Sequence, residues 1–295
     1  MKRYNKFVDV IINIVLLAVV LSCIIPLILV VSISFTSEAG IVANGYSLIP
    51  SEFSIDAYRY IYNSRDSIIS AYKITIANTV IGTLLSILVI TFYAYPLSRE
   101  DFKYKKIFTF YVFFTMLFSG GLVSWYIVCT RMLKLSNTIW GMIIPYLMNA
   151  WYVIIMRTFF RTTVPVGLIE SAKLDGAGEF RTFFKIVLPI AVPGIATIAL
   201  FQTLAYWNDW WLPLNFVTEQ KFYNLQFFLQ NLISNIENLT NASENVANIE
   251  SALSQLPKEG ARMALCMVAL GPILVVYPFF QKYFIQGLTV GAVKE

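Results

Sequence analysis

Apolar residues dominate six long runs of the chain, at about 10–35, 70–97, 107–128, 139–160, 186–208 and 262–284. Each is long enough to cross a bilayer as a helix, which takes about 20 residues. Polar stretches separate them. A connection at 36–69 carries Gly40, Gly45 and Pro50, and a charged turn at 98–106 carries Arg99, Lys103, Lys105 and Lys106. A short link covers 131–138, and a long segment rich in Asn, Ser, Glu and Gln covers 209–261. The pattern predicts an all-α polytopic membrane protein with six transmembrane helices. Residues 1–9 form an N-terminal segment, 10–284 the transmembrane domain and 285–295 a tail. Within that domain lie a polar elbow at 163–187 and an insertion at 209–261. A signal peptide is the competing reading of the first run, but the run is too long and no small-residue cleavage site follows it cleanly.

The stretch from Glu170 to Pro189 is polar at its centre yet lies between two apolar runs. It reads as helix, break, helix. Pro165 suits the start of the first helix, where a missing N–H costs nothing. Gly176 is able to take the left-handed conformation that ends a helix. The second helix is expected from about Ala177 up to a kink at Pro189. Leu168, Ala172 and Asp175 fall on one face at helical spacing, with Ile169 and Lys173 beside them. Spacing alone leaves two readings: a docking knob for another protein, or an ordinary connection between spans.

Basic residues give the orientation. The N-terminus, the 98–106 turn, the elbow and the C-terminal side hold Lys2, Arg3, Lys6, Arg99, Lys103, Lys105, Lys106, Lys173, Arg181 and Lys185, among others. The opposite connections are longer and hold fewer. Both termini and the elbow are therefore expected in the cytoplasm, and the 209–261 insertion outside.

Composition agrees with a membrane protein: 58% of the 295 residues are hydrophobic and 13% charged, with a mean hydropathy of +0.67. Such values lie far from those of soluble domains. The net charge of +5 is spread among apolar runs and does not point to nucleic acid. There is no His, which excludes His-based triads, His metal ligands and His proton relays. Cys23, Cys129 and Cys266 show no paired spacing and read as small buried hydrophobes, with no metal site. No span interior contains Asp or Glu, which argues against an ion-coupled secondary transporter and against a membrane-embedded acid–base enzyme. A phosphate-binding loop of the nucleotide-hydrolysing kind is also missing, so no catalytic residue is assigned.

Polar side chains inside the spans are costly and face a cavity or a neighbouring helix. Asn78, Asn149 and Gln202 would lie at similar depths of ~9–15 Å below the outer ends of their spans. Tyr146 shares a face with Asn149, and Tyr206 with Gln202. Trp207 and Asn208 follow at the outer end of the fifth span, where aromatic rings either stack on a sugar or form an interfacial belt. These seven residues are the candidates for lining a substrate pathway. Hydrogen bonding between helices is the alternative explanation for them.

Glu170-Ser171-Ala172, then Gly176, nine residues, and Ile186-Val187-Leu188-Pro189 resemble the Glu-Ala-Ala loop of the membrane subunits of ATP-driven importers. Ser171 is the one departure, small for small. Tyr206-Trp207-Asn208-Asp209 with Leu212-Pro213-Leu214, and the tail from Gln286 to Lys294, resemble further segments of the same family. The resemblance is to the carbohydrate-type permease of ATP-binding-cassette importers, the maltose-importer kind, over essentially the full length. Within it, the branch for complex or acidic oligosaccharides, such as alginate or pectin fragments, looks nearest. The resemblance implies a type I importer fold in a bacterial cytoplasmic membrane and alternating access. It implies a second related permease subunit, two ATPase subunits that use ATP and Mg, and an extracytoplasmic solute-binding protein, with no cofactor in this chain. It also implies that Glu170, Ser171, Ala172, Asp175, Gly176, Leu188 and Pro189 form the ATPase-coupling elbow.

Overall fold

The computed structural model describes residues 6–243 and 258–292. Among them every regular element is helical, and the one β-contact is an isolated bridge between Thr36 and Phe53. Two compact units can be distinguished. Met1–Ile68 with Leu229–Leu274 form the first, and Ile69–Phe228 with Val275–Glu295 the second.

The first unit begins with α1 (Lys6–Ser34), whose most apolar stretch has none of its residues buried within the chain. Ser37 caps α2 (Glu38–Asn44) by accepting a hydrogen bond from the Gly40 N–H at 3.0 Å. α3 (Asp56–Asn63) follows. Ile33, Ile41, Ala57, Ile61, Ala261 and Leu265 are among the buried apolar residues of this unit. The Glu38 carboxylate accepts from the Glu259 N–H at 3.2 Å. That satisfies a donor which the first turn of a helix otherwise leaves free.

The second unit is built around α4 (Arg65–Ser98), an unbroken helix of 34 residues. Ile90, Ala94 and Leu97 of α4 pack with Val153, Met156 and Phe160 of α8 (Ala150–Thr163), and with Phe183, Val187 and Ile198. A second cluster joins Cys129, Leu135, Met142, Leu212, Phe216 and Val217.

Three of the six predicted spans are helices bent at a break. α5 (Lys105–Leu117) and α6 (Gly121–Ile127), the latter extended by a wide turn to Met132, meet at 115°. Gly120 and Gly121 lie at that break, and Gly121 has φ +81, a conformation that side chains resist. α7 (Ile139–Ile143), with a tight turn through Tyr146, meets α8 at 52°. The fifth span breaks by 79° at Ala191, between α10–α11 (Glu179–Thr182 and Leu188–Ile190, joined by a wide turn) and α12 (Val192–Trp207). The expected kink at Pro189 is thus displaced. Pro189 sits in the first turn of α11, where its ring is tolerated, and the break falls just before Pro193, in the first turn of α12. The first and second spans are each one helix long and apolar enough to cross a membrane.

The sixth predicted run lies in α15 (Lys258–Ala292), which continues through residues 285–292 read as a separate tail. Isolated glycines such as Gly287 weaken a helix by about 1 kcal/mol each without ending it. Residues 209–228 hold α13 (Trp211–Phe216) and the start of α14 (Leu225–Ser243). Leu212, Phe216, Leu225 and Phe228 are buried there, so this part of the predicted insertion belongs to the core of the second unit. Residues 1–5, 244–257 and 293–295, parts of the predicted N-terminal segment, insertion and tail, lie outside the described residues.

Candidate functional site

The elbow forms as two helices around Gly176. α9 (Val166–Leu174) starts after Pro165 and is closed by Asp175. The Ala177 N–H donates to the Ala172 carbonyl at 2.9 Å, and the Gly176 N–H to the Lys173 carbonyl at 3.0 Å. This is the Schellman closure. It needs a left-handed residue, and Gly176 has φ +75. A Cβ on Gly176 would meet nothing within 4 Å, so conformation and not crowding demands glycine here. α10 then starts after Gly178, two residues later than predicted.

Glu170, Ser171 and Asp175 are exposed on this elbow, and Ala172 is buried beside Ile169. Leu168, placed by its spacing on one face with Ala172, is instead exposed. Leu188 is half-buried and Pro189 exposed. The elbow also displays large apolar side chains: Leu174 is 90% exposed and Phe180 74%.

An ion-pair ring ties the elbow to the end of α4. Arg99 grips Asp101 through both carboxylate oxygens, at 3.0 and 2.6 Å. Asp101 accepts from Lys173 at 2.9 Å, Lys173 reaches Glu179 at 3.2 Å, and Glu179 returns to Arg99 at 3.4 Å. The Tyr95 hydroxyl accepts from Arg99 at 2.9 Å and donates to Glu179 at 3.3 Å. The Arg99 guanidinium, and after it the Lys173 ammonium, hold the Asp101 carboxyl well below the usual carboxylate range. Burial opposes the charge on Arg99, but Asp101 and Tyr95 outweigh it and keep the guanidinium above its ordinary value. Arg157 adds a link from α8, donating to the Leu97 carbonyl at 3.1 Å. From sequence, Arg99 is an orienting charge and Lys173 an orienting charge beside the elbow face. The pairs that close the ring, Lys173 with Asp101 and Arg99 with Glu179, are distant in the chain and give no signal in a linear pattern.

Four of the seven pathway candidates converge on the turn at 142–146. Asn78 donates to the Met142 sulfur at 3.2 Å, the Gln202 amide to the Tyr146 carbonyl at 3.2 Å, and the Tyr206 hydroxyl to the Ile143 carbonyl at 3.0 Å. Tyr206 also meets Ser86 at 3.2 Å. Asn78, Gln202 and Tyr206 are buried, and these bonds knit helices together. Trp207 is buried too, its ring 6.4 Å from that of Tyr72. Asn149 stands apart. It is exposed in the break before α8 and caps that helix by accepting from the Trp151 N–H at 2.9 Å. Asn208 is exposed at the end of α12 and donates to the Leu204 carbonyl.

Asp209, next in the chain, is a buried acid that the reading of span interiors did not weigh. Its carboxylate accepts from the Trp211 and Leu212 N–H groups at 3.1 and 3.2 Å and from the Tyr146 hydroxyl at 3.4 Å. Burial pushes its carboxyl up to about 6 against the pull of those donors. Among the described residues no cluster of His, Cys, Asp and Glu could hold a metal ion.

Residues 2–290 match the family of binding-protein-dependent transport system inner membrane components. The polygalacturonan/rhamnogalacturonan transport system permease protein YtcP of Bacillus subtilis is 37% identical over 98% of this chain and 99% of its own length. Protein LplC of the same organism is 34% identical over 92% of this chain and 89% of its own. A bacterial ABC transporter involved in the import of the acidic polysaccharide alginate contains a chain of similar structure. That chain has a TM-score of 0.80 and 27% identity, and the match covers 96% of this chain and 99% of that one. With its helical fold and its membrane-spanning segments, the chain belongs to the inner-membrane permease components of binding-protein-dependent transport systems, the sugar-type permeases of ABC importers.

Proposed function

We propose that this chain lines half of the translocation pathway of an ATP-driven importer for acidic oligosaccharides, and that the elbow at 170–189 couples it to a cytoplasmic ATPase. The observation that carries the coupling is the elbow itself. Glu170, Ser171, Asp175 and Gly176 are exposed around a rigidly closed turn, with Leu174 and Phe180 projecting beside them. A chain with no nucleotide-binding loop must receive work through such a contact. Partners of the assembly are a second related permease, two ATPase subunits that bind ATP and Mg, and an extracytoplasmic binding protein. Both termini and the elbow face the cytoplasm in this reading.

The substrate class rests on chemistry shared by the relatives. Polygalacturonan and alginate are both polymers of uronic acids, and the two proteins that handle them resemble this chain along its whole length. Among the pathway candidates, Asn149 and Asn208 keep exposed amides able to meet hydroxyls and carboxylates. Asn78, Tyr146, Gln202, Tyr206 and Trp207 are the buried or half-buried candidates of the same pathway.

The test is uptake of labelled oligogalacturonides and oligoalginates by proteoliposomes holding the assembled importer. ATP-dependent uptake that competes with uronic oligomers and not with neutral maltodextrins supports the reading. Uptake by the lone chain driven by an ion gradient overturns it.

A further inference from the structure

We infer that Arg99, Asp101, Lys173 and Glu179 are positioning residues for coupling, an ionic clasp that makes the two arms of the elbow move as one body with α4. The inference rests on the coupling role proposed above and adds a route for the force.

The geometry is specific. Lys173 lies in the last turn of α9 and Glu179 in the first turn of α10, on either side of Gly176. Just past the end of α4, Asp101 holds the first arm through Lys173 and Arg99 the second through Glu179, each charge touching two of opposite sign. An isolated surface ion pair contributes little, because holding two long side chains costs entropy. Here the cost is reduced, since the Arg99 side chain is only 12% exposed and is already fixed by Tyr95. Its bidentate grip on Asp101 also adds direction to the contact.

The covalent routes out of the elbow are poorer levers. Towards the N-terminus the elbow continues into α8, whose far end is the 52° break at Leu147–Asn149. Towards the C-terminus it passes through α10 and α11 to the 79° break at Ala191. α4 has no break over its 34 residues, roughly 50 Å. On one face α4 carries Asn78 and Ser86, which contact Met142 and Tyr206 in the polar layer. A displacement of the elbow that is handed to α4 thus reaches Asn78, Ser86 and Tyr206 along a single helix, which keeps its helical path past Pro96.

The test uses the complete importer in proteoliposomes, reading both ATP hydrolysis and uptake. Asp101→Asn and Lys173→Gln are each expected to lower the solute taken up per ATP by roughly fivefold or more, with the ATPase subunits still co-purifying. The double variant should be no worse than either single one, because both open the same contact. Lys173→Arg should restore the ratio. An unchanged ratio in both single variants overturns the clasp, as does loss of the ATPase subunits from the complex, which would make these residues part of docking. Gly176→Pro serves as the reference. If it uncouples while the clasp variants do not, only the clasp fails; if it also leaves the ratio unchanged, the coupling role of the elbow fails with it.

Discussion

The ring of Tyr206 on α12 occupies the space where a Cβ of Gly82 on α4 would stand, with ring atoms 2.6–2.8 Å from that position. The two helices touch through a missing side chain. The closeness lets the Tyr206 hydroxyl pass α4 and reach both Ser86 and the Ile143 carbonyl.

Gly82→Ala must therefore push Tyr206 aside. Overpacking of this kind costs about 1–3 kcal/mol. A lower melting temperature of the purified complex in detergent is the expected result. Tyr206→Phe, which keeps the ring and removes the hydroxyl, should lower it less in the same melt, by the ~1 kcal/mol of a hydrogen bond.

Gly176 makes a different demand. Its φ of +75 costs an alanine about 1–2 kcal/mol. Proline cannot adopt it and would also lose the N–H that bonds the Lys173 carbonyl. In assembled importers Gly176→Ala should couple weakly, and Gly176→Pro should hydrolyse ATP with little uptake. Parallel assays of phosphate release and solute accumulation measure both.

The polar candidates separate by mutation. Gln202→Leu removes the amide that pairs the half-buried Tyr146 carbonyl, a loss of about 1 kcal/mol that should appear in thermal stability. Asn208→Ala removes an exposed amide that donates locally, to the Leu204 carbonyl. It should leave the melt unchanged and reduce uptake. Reduced uptake with an unshifted melt is the signature of a pathway residue, and unchanged uptake would remove Asn208 from the list.

The spans, the elbow and the family were legible in the sequence because they depend on local patterns: apolar run length, a glycine that ends a helix, and a spaced motif. The breaks at Phe118–Gly120, Leu147–Asn149 and Ala191 were less so. Apolar content carries across them, and the signals that remain, Gly120, Pro145 and Pro193, fit a kinked helix as well as a broken one. The clasp was invisible, since Asp101 and Glu179 gain meaning only once the fold brings them to Arg99 and Lys173. The buried amides show the opposite limit. Polarity inside a span sets Asn78 and Gln202 apart, and the fold adds that neighbouring helices receive their hydrogen bonds.

Asp101 gives the elbow a pH dependence. Its carboxyl is held below its unfolded value by Arg99 and Lys173. Its stabilising contribution is therefore complete above the ordinary carboxylate pKa of about 4 and is lost as pH falls through the lowered folded value. The melting difference between the native chain and Asp101→Asn should be largest near neutrality and shrink as pH drops below about 4. A difference that grows on acidification would contradict this assignment.

The most direct measurement of the coupling role is site-specific cross-linking from Leu174→Cys, the most exposed apolar residue of the elbow. In membranes holding the complete importer, the account predicts a cross-link to the ATPase subunit and protection from an impermeant thiol reagent added outside. Labelling of that cysteine from the outer face, with no cross-link to the ATPase, would contradict it.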